Sequence, residues 1–552
     1  MDFLRGGERN LMNFKKSVRI LTAGILSAFV LVATGAVGSD ADTVEAAGGN
    51  MAVQAAISGS NVNVTASATS APASDDGMLY LFAEPIYSDA ITTSALASAP
   101  AGTNATFSTP LNANSGDSRL YSKFIVAAMQ GGQYVPLNPG AYIVNPEAIA
   151  NKTFGRTVTG KKGLIADPAK LANNELSDLG VKQTLYNIYL GRIIGPTQNG
   201  SYPTINYSYN GRNYQFNGLV VAEYDNIFST FTKKGIQVTA TILNENDGRA
   251  PQLIHPLSRD GFACPYYAFN TAEKDGVDYL AATLAFLAER YSDGSHGKVE
   301  NWVIGNEVNK RHEWNYVNIS NLDAYVNEYA EGFRICYNAI KSRNANANVY
   351  ICTDQQWDRN RSEAGKYDGK DFIDSFNANI SAGGNIDWGL VSHPYPVPLT
   401  WAAYWTGGAY YKNLVKHNVG SAYVTMENIE VMTDYMCSPQ LLAPNGQVRS
   451  VLLTEVGYTT SQGEDYACAA MVLGYLQAAN NQHIDGMIMS RQTDSAAEIG
   501  QGLALGLDNV DGSHKSTYEC FKQLDGPNAG AYVQQALALR GVSDIGQVIY
   551  PR

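Results

Sequence analysis

The sequence predicts an α/β protein, a (β/α)8 TIM barrel that follows an N-terminal, all-β, sandwich-like domain. From about residue 160 onward, short apolar runs alternate with amphipathic stretches of helical length, and eight such pairs can be counted. Residues 50–150 instead contain short strand-like runs between turn-rich clusters. Two of the later apolar runs end in a glutamate, Glu307 and Glu455, so both carboxylates are expected at the strand ends that meet on one face of a barrel.

The composition is that of a globular protein, and the charge argues against nucleic acid or an anionic membrane as a partner. The 552 residues are enough for a barrel and an accessory module. Hydrophobic residues make up 45% and charged residues 16% of the chain, which is typical of a packed domain. The net charge of -12 argues against polyanionic partners, because these require basic patches. The 34 tyrosines suit contacts with sugar faces, although tyrosine also packs protein cores.

Residues 1–46 have the pattern of a secretory signal peptide. A basic region that ends at Arg19 precedes a mostly apolar, uncharged stretch over residues 20–37, and small residues follow it. Cleavage is expected before Ala47, or alternatively near Gly38, and the location is then secreted or cell-surface. An uncleaved membrane anchor is the alternative, because the uncharged stretch is at the lower edge of the length that spans a bilayer.

Residues 47–155 are predicted to form the sandwich-like accessory domain. Apolar and polar residues alternate strictly over residues 61–68, and less strictly over residues 78–82 and 120–127. Short strands at this spacing are typical of a small β-sandwich. Such a domain either binds carbohydrate or packs on the barrel as a structural appendage, and both interpretations stay open.

Residues 156–528 are predicted to form the barrel, and residues 529–552 a partly helical tail. The predicted strands cover 162–166, 181–188, 236–243, 349–353, 386–392 and 484–490, together with the runs that end at Glu307 and Glu455. The predicted helices cover 220–233, 276–291, 321–341, 370–380, 423–436, 464–480 and 515–524, and a hairpin is predicted over 204–216. This alternation favours a parallel sheet closed into a barrel.

The six cysteines show neither a CxxC pair nor the spacing of zinc ligands. An even number in an exported protein permits disulfides. However, Cys336, Cys352, Cys468 and Cys520 fall inside predicted helices or strands, where buried free thiols are common. We therefore expect mostly free thiols, and the spacing identifies no pair.

Two carboxylates at one end of a barrel are the groups that glycoside hydrolysis requires. One carboxylic acid protonates the departing oxygen, and a second carboxylate attacks the sugar or activates water. Asn306 directly precedes Glu307 and is placed to bind a sugar hydroxyl next to the reacting carbon. Taken alone, Glu455 is also explained as an acid at a helix N-terminus.

The segments around both glutamates resemble clan-A retaining glycoside hydrolases. Residues 304–307, Ile-Gly-Asn-Glu, resemble the Asn-Glu signature at the end of strand four in that clan. Residues 454–457, Thr-Glu-Val-Gly, are similar to its nucleophile segment on strand seven, and residues 515–522 resemble its last barrel helix. The resemblance covers residues 160–525 and implies that Glu307 is the acid/base and Glu455 the nucleophile. The chain also resembles a family of secreted bacterial proteins that have this barrel and no firmly assigned activity.

The segments after strands six and eight extend the resemblance and depart from it. His393 and Tyr395 resemble the pair that those enzymes often place beside the nucleophile, although His393 is equally well explained as a structural residue. Residues 489–494 replace the tryptophan that many members of the clan place beneath the substrate. Arg491 and Asp494 occur there, which predicts a more polar site for a charged or heavily hydroxylated ligand.

Further ligand contacts are predicted where barrel strands end. These residues are Asn187 and Asn244 after strands two and three, and Trp314, Trp357 and Tyr458 after strands four, five and seven. Asparagine binds sugar hydroxyls and aromatic rings stack on sugars, but loop asparagines also make turns and aromatic residues also pack loops.

The sequence therefore predicts a secreted glycoside hydrolase that cleaves poly- or oligosaccharides with retention, without a cofactor or a metal. Burial and the neighbouring carboxylate are expected to raise the pKa of Glu307, which would then act as an acid. Two alternatives stay open. One is a non-catalytic carbohydrate-binding surface protein on the same barrel, and the other is a metal-dependent hydrolase that uses Glu245, Asp354 and His393.

Overall fold

The structure is a computed structural model that describes residues 51–155, 157, 159–361 and 363–552. The predicted signal peptide, residues 1–46, lies outside these residues. Within the described ranges, none of the helices has the length and the apolar character that crossing a bilayer requires.

The N-terminal part of the described chain consists of two antiparallel sheets. Its strands are β1 (Ala52–Ser58), β2 (Asn61–Ser67), β3 (Met78–Glu84), β4 (Ala97–Pro100), β5 (Asn104–Pro110), β6 (Lys123–Gln130) and β7 (Gln133–Pro136). One sheet has the order β1-β2-β5 and the other the order β4-β3-β6-β7. Alternate residues of β2 and β5 are buried, and Val64 and Phe107 share one core with Leu81 of the other sheet. The predicted sandwich-like domain is thereby confirmed.

This domain packs against barrel helices through buried polar residues. The Asn338 side chain donates a hydrogen bond to the Leu120 carbonyl (2.9 Å), and the Arg334 guanidinium lies 4.6 Å from the ring centre of Tyr142. Both Asn338 and Arg334 are buried. These contacts favour the structural appendage over an independent carbohydrate-binding module.

Eight parallel strands and one inserted hairpin follow. The strands are β8 (Lys162–Leu164), β9 (Gln183–Tyr189), the hairpin strands β10 (Ile205–Tyr209) and β11 (Arg212–Phe216), β12 (Gln237–Leu243), β13 (Asn301–Ile304), β14 (Asn348–Asp354), β15 (Trp388–His393), β16 (Val451–Val456) and β17 (Ile484–Met489). The closed ring runs β12-β13-β14-β15-β16-β17-β8-β9, so each barrel strand pairs with its neighbours in sequence. The predicted (β/α)8 fold class is confirmed. Glu307 follows barrel strand four, and Glu455 is the penultimate residue of barrel strand seven.

The helices of the described chain surround this ring. They are α1 (Glu175–Asp178), α2 (Leu190–Ile193), α3 (Gly218–Lys233), α4 (Lys274–Arg290), α5 (Arg311–Trp314), α6 (Leu322–Lys341), α7 (Gly369–Ala382), α8 (Gly408–Leu414), α9 (Glu430–Met436), α10 (Glu464–Ala479), α11 (Ala496–Ile499), α12 (Ser516–Lys522) and α13 (Ala529–Arg540). The long helix α6 begins where the Asn321 side chain accepts a hydrogen bond from the Ala324 amide (2.9 Å).

The helix predicted over residues 423–436 is wrong in its first half, because α9 begins only at Glu430. The Asn428 side chain accepts a hydrogen bond from the Thr425 amide (2.9 Å) and donates one to the Tyr423 carbonyl (3.1 Å). Side-chain bonds of this kind compete with helical backbone bonds and favour a turn.

One disulfide corrects the expectation for two of the cysteines. Cys468 of α10 and Cys520 of α12 are bonded, whereas Cys264, Cys336, Cys352 and Cys437 are free. Most of the thiols are therefore free, as predicted, but these two are not. Their pairing depends on the closed barrel, which brings together the helices that follow strands seven and eight.

Replacing Cys468 by Ser is expected to lower the free energy of unfolding by about 2–4 kcal/mol, because the disulfide restricts the unfolded chain. The two cysteines are 52 residues apart, so the closed loop is long. Urea denaturation measures the loss, with Cys437→Ser, at a free cysteine, as the matched control. Equal midpoints for Cys468→Ser and the wild type would contradict the assignment.

Candidate active site

Glu307 is held by a tight turn directly after barrel strand four. Gly305 and Glu307 both have positive φ angles, 82° and 38°, and this conformation is uncommon for a residue with a side chain. The Glu307 carbonyl accepts a hydrogen bond from the Lys310 amide (2.7 Å), which closes the turn. The Glu307 amide lies 3.3 Å from the sulfur of Cys352 on strand five. Strained backbone of this kind is typical of functional sites.

Glu455 is the penultimate residue of barrel strand seven and lies at an irregularity of the sheet. Between Leu453 and Val456, β16 has one residue more than its partner β17, so the register shifts there. A bulge of this type re-aims the side chains that it contains. The Glu455 side chain is 27% exposed to solvent, whereas the Glu307 side chain is 9% exposed. Glu455 is therefore the more accessible of the two carboxylates.

His393, at the end of strand six, bridges the two glutamates. Its Nδ1 lies 3.0 Å from Glu307 Oε1 and 3.7 Å from Glu455 Oε2. Its Nε2 lies 3.0 Å from the Thr454 hydroxyl and 3.4 Å from the Cys352 sulfur. Burial alone would lower the pKa of His393, but Cys352, Glu455 and Glu307 outweigh burial and raise it well above its ordinary value.

The contacts of His393 limit the separation of the two carboxylates. Because both oxygens lie near one nitrogen, they can be no further apart than the sum of 3.0 and 3.7 Å. Carboxyl groups are about 5–5.5 Å apart in retaining glycosidases and about 6.5–9.5 Å apart in inverting ones. This limit applies to one oxygen of each carboxylate, and it is compatible with the separation in retaining enzymes.

Lys310 lies between two buried carboxylates and was not singled out in the sequence. Its Nζ is 2.9 Å from Glu307 Oε2 and 2.9 Å from Asp354 Oδ2. The other oxygen of Asp354 accepts hydrogen bonds from the Asn309 side chain (2.7 Å) and the Gln356 amide (3.0 Å). The three-residue spacing from Glu307 to Lys310 was the only signal of this contact.

The expectation that the pKa of Glu307 is raised is wrong. Burial alone would raise this pKa, but the Lys310 ammonium and the His393 imidazole outweigh burial and hold it well below its ordinary value. The pKa of Asp354 is raised, mainly by burial, although Lys310 opposes the shift. In this conformation Glu307 is a carboxylate at neutral pH, and both of its oxygens contact protein groups.

Tyr395 contacts the other glutamate. Its hydroxyl donates a hydrogen bond to Glu455 Oε2 (3.2 Å), and burial raises the pKa of this phenol well above its usual range. Glu307, Glu455, His393 and Tyr395 therefore form one contiguous network. Asn306 precedes Glu307 in the turn and is 5% exposed.

A cleft of about 450 Å³ opens beside Glu455 at the C-terminal strand ends. Its walls come from barrel strands one, two and eight and from the long loop after strand three. The predicted ligand contacts Asn187 and Arg491 line it together with Glu455, Asp167, Tyr189 and Tyr266. The structure therefore brings three of the predicted site residues, Asn187, Glu455 and Arg491, to one cavity. Glu307 is not among the residues that line it.

Stacked aromatic rings form one wall of this cleft. The Tyr266 ring stacks with Tyr189 (6.5 Å between ring centres) and with Trp314 (5.1 Å). The Arg192 guanidinium lies 4.2 Å from the ring centre of Tyr189. Trp314 was singled out in the sequence, but Tyr189 and Tyr266 were not. The chain has 34 tyrosines, and no sequence feature distinguishes these two from the others.

Three predicted ligand contacts are corrected, because protein surrounds their side chains. The Asn244 amide donates hydrogen bonds to the carbonyls of Leu253 (3.0 Å) and Ala268 (3.1 Å), so it holds a loop. Trp357 is 3% exposed and donates its indole N–H to a backbone carbonyl (3.0 Å). Tyr458 is also 3% exposed, and none of the three lines the cleft among the described residues.

The polar residues after strand eight have protein partners. Arg491 donates to Glu498 (2.6 Å) at the edge of the cleft. Asp494 pairs with Lys515 (2.7 Å), and each of these side chains is 2% exposed. The more polar surface predicted there is present, but its charges are compensated within the protein.

The three residues of the metal alternative do not form one site. Glu245 pairs with Arg192 (2.6 Å), Asp354 pairs with Lys310 (2.9 Å), and His393 contacts the two catalytic candidates. Across the described part of the chain, no cluster of three or more His, Cys, Asp and Glu side chains is arranged to hold a metal ion.

Residues 155–548 match the model of a protein family that is described as a family of unknown function, DUF5722. The chain belongs to this family. The predicted barrel makes up most of the DUF5722 region, and both glutamates lie within it. No curated protein matches the sequence.

Solved structures similar to this DUF5722 protein include glycoside hydrolases. A family 39 glycoside hydrolase from Bacteroides cellulosilyticus is 15% identical with a TM-score of 0.44, and the match covers 84% of this chain and 80% of the other. A glucosidase from Croceicoccus marinus is 15% identical with a TM-score of 0.40, covering 69% of each chain. A family 1 β-glucosidase from Thermotoga maritima is 13% identical with a TM-score of 0.37, covering 67% of this chain and 86% of the other. The likeness is one of fold, and it assigns no activity to the DUF5722 barrel.

Proposed function

We propose that this protein is a retaining glycoside hydrolase that cleaves a poly- or oligosaccharide by double displacement. The observation that carries the proposal is the contact of both strand-end carboxylates with one imidazole nitrogen, at 3.0 and 3.7 Å. That spacing is compatible with retention, and Glu455 faces a cleft with aromatic and amide walls.

In the first step, a Glu455 oxygen attacks the anomeric carbon while the bond from that carbon to the leaving oxygen breaks. Glu307 supplies the proton that the leaving oxygen takes up. In the second step, Glu307 removes a proton from water, the water oxygen attacks the anomeric carbon, and the bond to Glu455 breaks. Tyr395 donates a hydrogen bond to Glu455 and positions it for attack.

The first step requires Glu307 to gain a proton and to leave Lys310. Asp354 offers Lys310 a second partner at the same distance of 2.9 Å, so the ammonium remains paired when Glu307 turns toward the cleft. The raised pKa keeps His393 protonated, and its Nδ1 contacts Glu307 Oε1, so His393 holds the adjacent proton. Glu307 can take that proton only after it leaves Lys310, because loss of the ammonium raises the pKa of Glu307. Substrate binding is the event that we expect to drive this exchange.

One observation favours the second candidate function, a non-catalytic carbohydrate-binding surface protein. Both oxygens of Glu307 are engaged, one by His393 and one by Lys310, and Glu307 is 6% exposed. The same contacts are expected in a barrel in which Glu307 no longer serves as the catalytic acid. The two candidate functions differ in cleavage: the hydrolase binds and cleaves the sugar, whereas the binding protein only binds it.

We also propose that the protein is secreted or displayed on a bacterial cell surface. Residues 1–46 have the pattern of a signal peptide. The Cys468–Cys520 disulfide supports the same location, because disulfides persist in oxidising compartments.

The test is a screen of nitrophenyl glycosides and natural oligosaccharides, followed by proton NMR of the first anomer released. A retaining hydrolase releases the anomer of the starting configuration. Release of the opposite anomer would refute double displacement. Binding without cleavage across the screen would favour the carbohydrate-binding protein.

Tyr395→Phe is expected to lower kcat/KM for the best glycoside by about 10-fold or more, because a hydrogen bond to a charged group contributes about 1.5–3 kcal/mol. The substitution removes the hydroxyl that donates to Glu455 (3.2 Å). Steady-state kinetics measure the change, and Tyr410→Phe, at an exposed tyrosine, is the control. Unchanged kcat/KM in Tyr395→Phe would exclude a role in positioning Glu455.

A further inference from the structure

The positive charges around the cleft are all paired with acidic side chains. Arg491 lines the cleft and donates to Glu498 (2.6 Å). Arg192, which stacks on Tyr189 of the cleft wall, makes two hydrogen bonds to Glu245, of 2.6 and 3.1 Å. None of these guanidinium groups is therefore an unpaired cation that faces the cavity.

The lysines behind the cleft are paired as well. Lys515 pairs with Asp494 (2.7 Å) and both are almost fully buried. Lys310 is shared by Glu307 and Asp354, at 2.9 Å from each. The Lys310 ammonium therefore has carboxylate partners on both sides and is not an unpaired cation either.

Among the residues that the structure describes, two carboxylates on the cleft surface have no Lys or Arg partner. Glu455 contacts only His393 (3.7 Å) among the basic side chains of the described chain. Asp167 lines the cleft, and one of its oxygens accepts a hydrogen bond from the Ala169 amide (2.9 Å). Arg491, already bonded to Glu498, is the one Lys or Arg side chain among the described residues that line the cleft, so an anionic ligand would approach these carboxylates with little compensating charge, which is electrostatically unfavourable.

We propose that this cleft binds an uncharged, hydroxyl-rich saccharide and excludes uronic acid and sulfated sugars. The inference rests on the proposed assignment of the cleft to carbohydrate, and it names the class of substrate. Asn187, Tyr189 and Tyr266 supply amide and hydroxyl groups that match neutral sugar hydroxyls. The sequence had left a charged ligand open because of Arg491, and the pairing with Glu498 is the observation that decides against it.

The test measures binding and hydrolysis with the wild-type protein. The neutral probes are gluco-, xylo-, manno- and galacto-oligosaccharides, and the acidic probes are oligogalacturonate and sulfated oligosaccharides of matched length. Calorimetry and product analysis are carried out at low and at high salt. We expect at least one neutral series to bind at least about tenfold more tightly than every acidic series, with little salt dependence.

A substitution at the edge of the cleft allows a second test, in which one ligand series is compared between the wild type and a variant. Glu498→Gln leaves Arg491 without its carboxylate partner and is expected to strengthen oligogalacturonate binding by about fivefold, with neutral binding unchanged. Glu427→Gln is the matched control, because Glu427 pairs with Arg540 (2.7 Å) in a different cavity.

The outcomes separate this inference from the proposed function. Cleavage or tighter binding of an acidic series would overturn the inference and leave the hydrolase standing. Binding of a neutral series without cleavage would support the inference and count against the hydrolase. Failure of every neutral series to bind would overturn the inference as well.

Discussion

Replacing Glu455 by Gln is expected to lower kcat for glycoside hydrolysis by about 10,000-fold or more, because an amide cannot form the covalent glycosyl intermediate. Glu455 is the carboxylate that the structure presents to the cleft, with its side chain 27% exposed and one oxygen 3.2 Å from the Tyr395 hydroxyl. The substitution keeps the size of the side chain, so the fold and sugar binding are expected to persist. Single-turnover kinetics with an activated aryl glycoside measure the loss, and calorimetry measures the binding that remains.

Two controls sharpen this result. Glu427→Gln makes the same chemical change at a glutamate paired with Arg540 in another cavity, and it is expected to leave kcat unchanged. In the nucleophile-deleted variant Glu455→Ala, added azide is expected to restore turnover by replacing the missing carboxylate. Retention of more than about a tenth of wild-type kcat in Glu455→Gln would contradict the role of Glu455.

Replacing Lys310 by Met is expected to lower the free energy of unfolding at neutral pH by about 3–5 kcal/mol, because it leaves buried carboxylates without their cation. Lys310 contacts Glu307 and Asp354, and the Asp354 side chain is 4% exposed. Denaturant unfolding across a range of pH values measures the loss. Lys310→Arg, which keeps the positive charge, is the control and is expected to lose less.

The pH dependence of this loss follows from the sign of the Glu307 shift. The folded-state pKa of Glu307 is depressed, so its contribution to stability is present above the unfolded pKa and is lost as the pH falls through the folded one. The difference between wild type and Lys310→Met is therefore largest at neutral pH and shrinks as the pH falls from the higher pKa of Glu307 in the variant toward its depressed pKa in the wild type. An equal difference at all pH values would indicate lost packing instead of lost charge pairing.

The same substitution has a kinetic consequence. Without the Lys310 ammonium, the pKa of Glu307 rises. At any pH above the wild-type pKa, a larger fraction of Glu307 is then protonated and able to act as an acid. The alkaline limb of the kcat/KM profile is expected to move to higher pH in Lys310→Met. A profile that does not move would show that Glu307 is not the group that protonates the leaving oxygen.

The locations of the two glutamates were predictable from sequence because they depend on periodicity. Apolar runs of strand length identify barrel strands four and seven, and the barrel topology brings their ends to one face. The structure places Glu307 and Glu455 around His393, which the sequence had also placed after strand six. For these residues, the order of strands was sufficient.

The charge state of Glu307 was not predictable, since it depends on the turn that follows the strand. Only the positive φ of Glu307 (38°) and the closing hydrogen bond bring Lys310 back onto the carboxylate. In an extended segment, the three-residue spacing from Glu307 to Lys310 would place the two side chains far apart. Sequence reasoning counted burial and missed the cation that outweighs it.

Loop residues and the disulfide depend on tertiary packing in the same way. Trp357 and Asn244 follow barrel strands as predicted, but the loops fold back and bury both side chains. Whether such a side chain faces the cleft is determined by loop conformation, which hydrophobic patterning does not encode. Cys468 and Cys520 lie 52 residues apart on two helices that become neighbours only when the barrel closes.

The most direct test of the central claim is covalent trapping of the nucleophile. The protein is incubated with an activated fluoro-sugar glycoside of the configuration that it hydrolyses, and the labelled peptide is identified by mass spectrometry. We predict one sugar bound per protein molecule, attached to Glu455, with no label in Glu455→Gln. Hydrolysis of the parent glycoside with no trapped sugar, or with the label on another residue, would contradict the account.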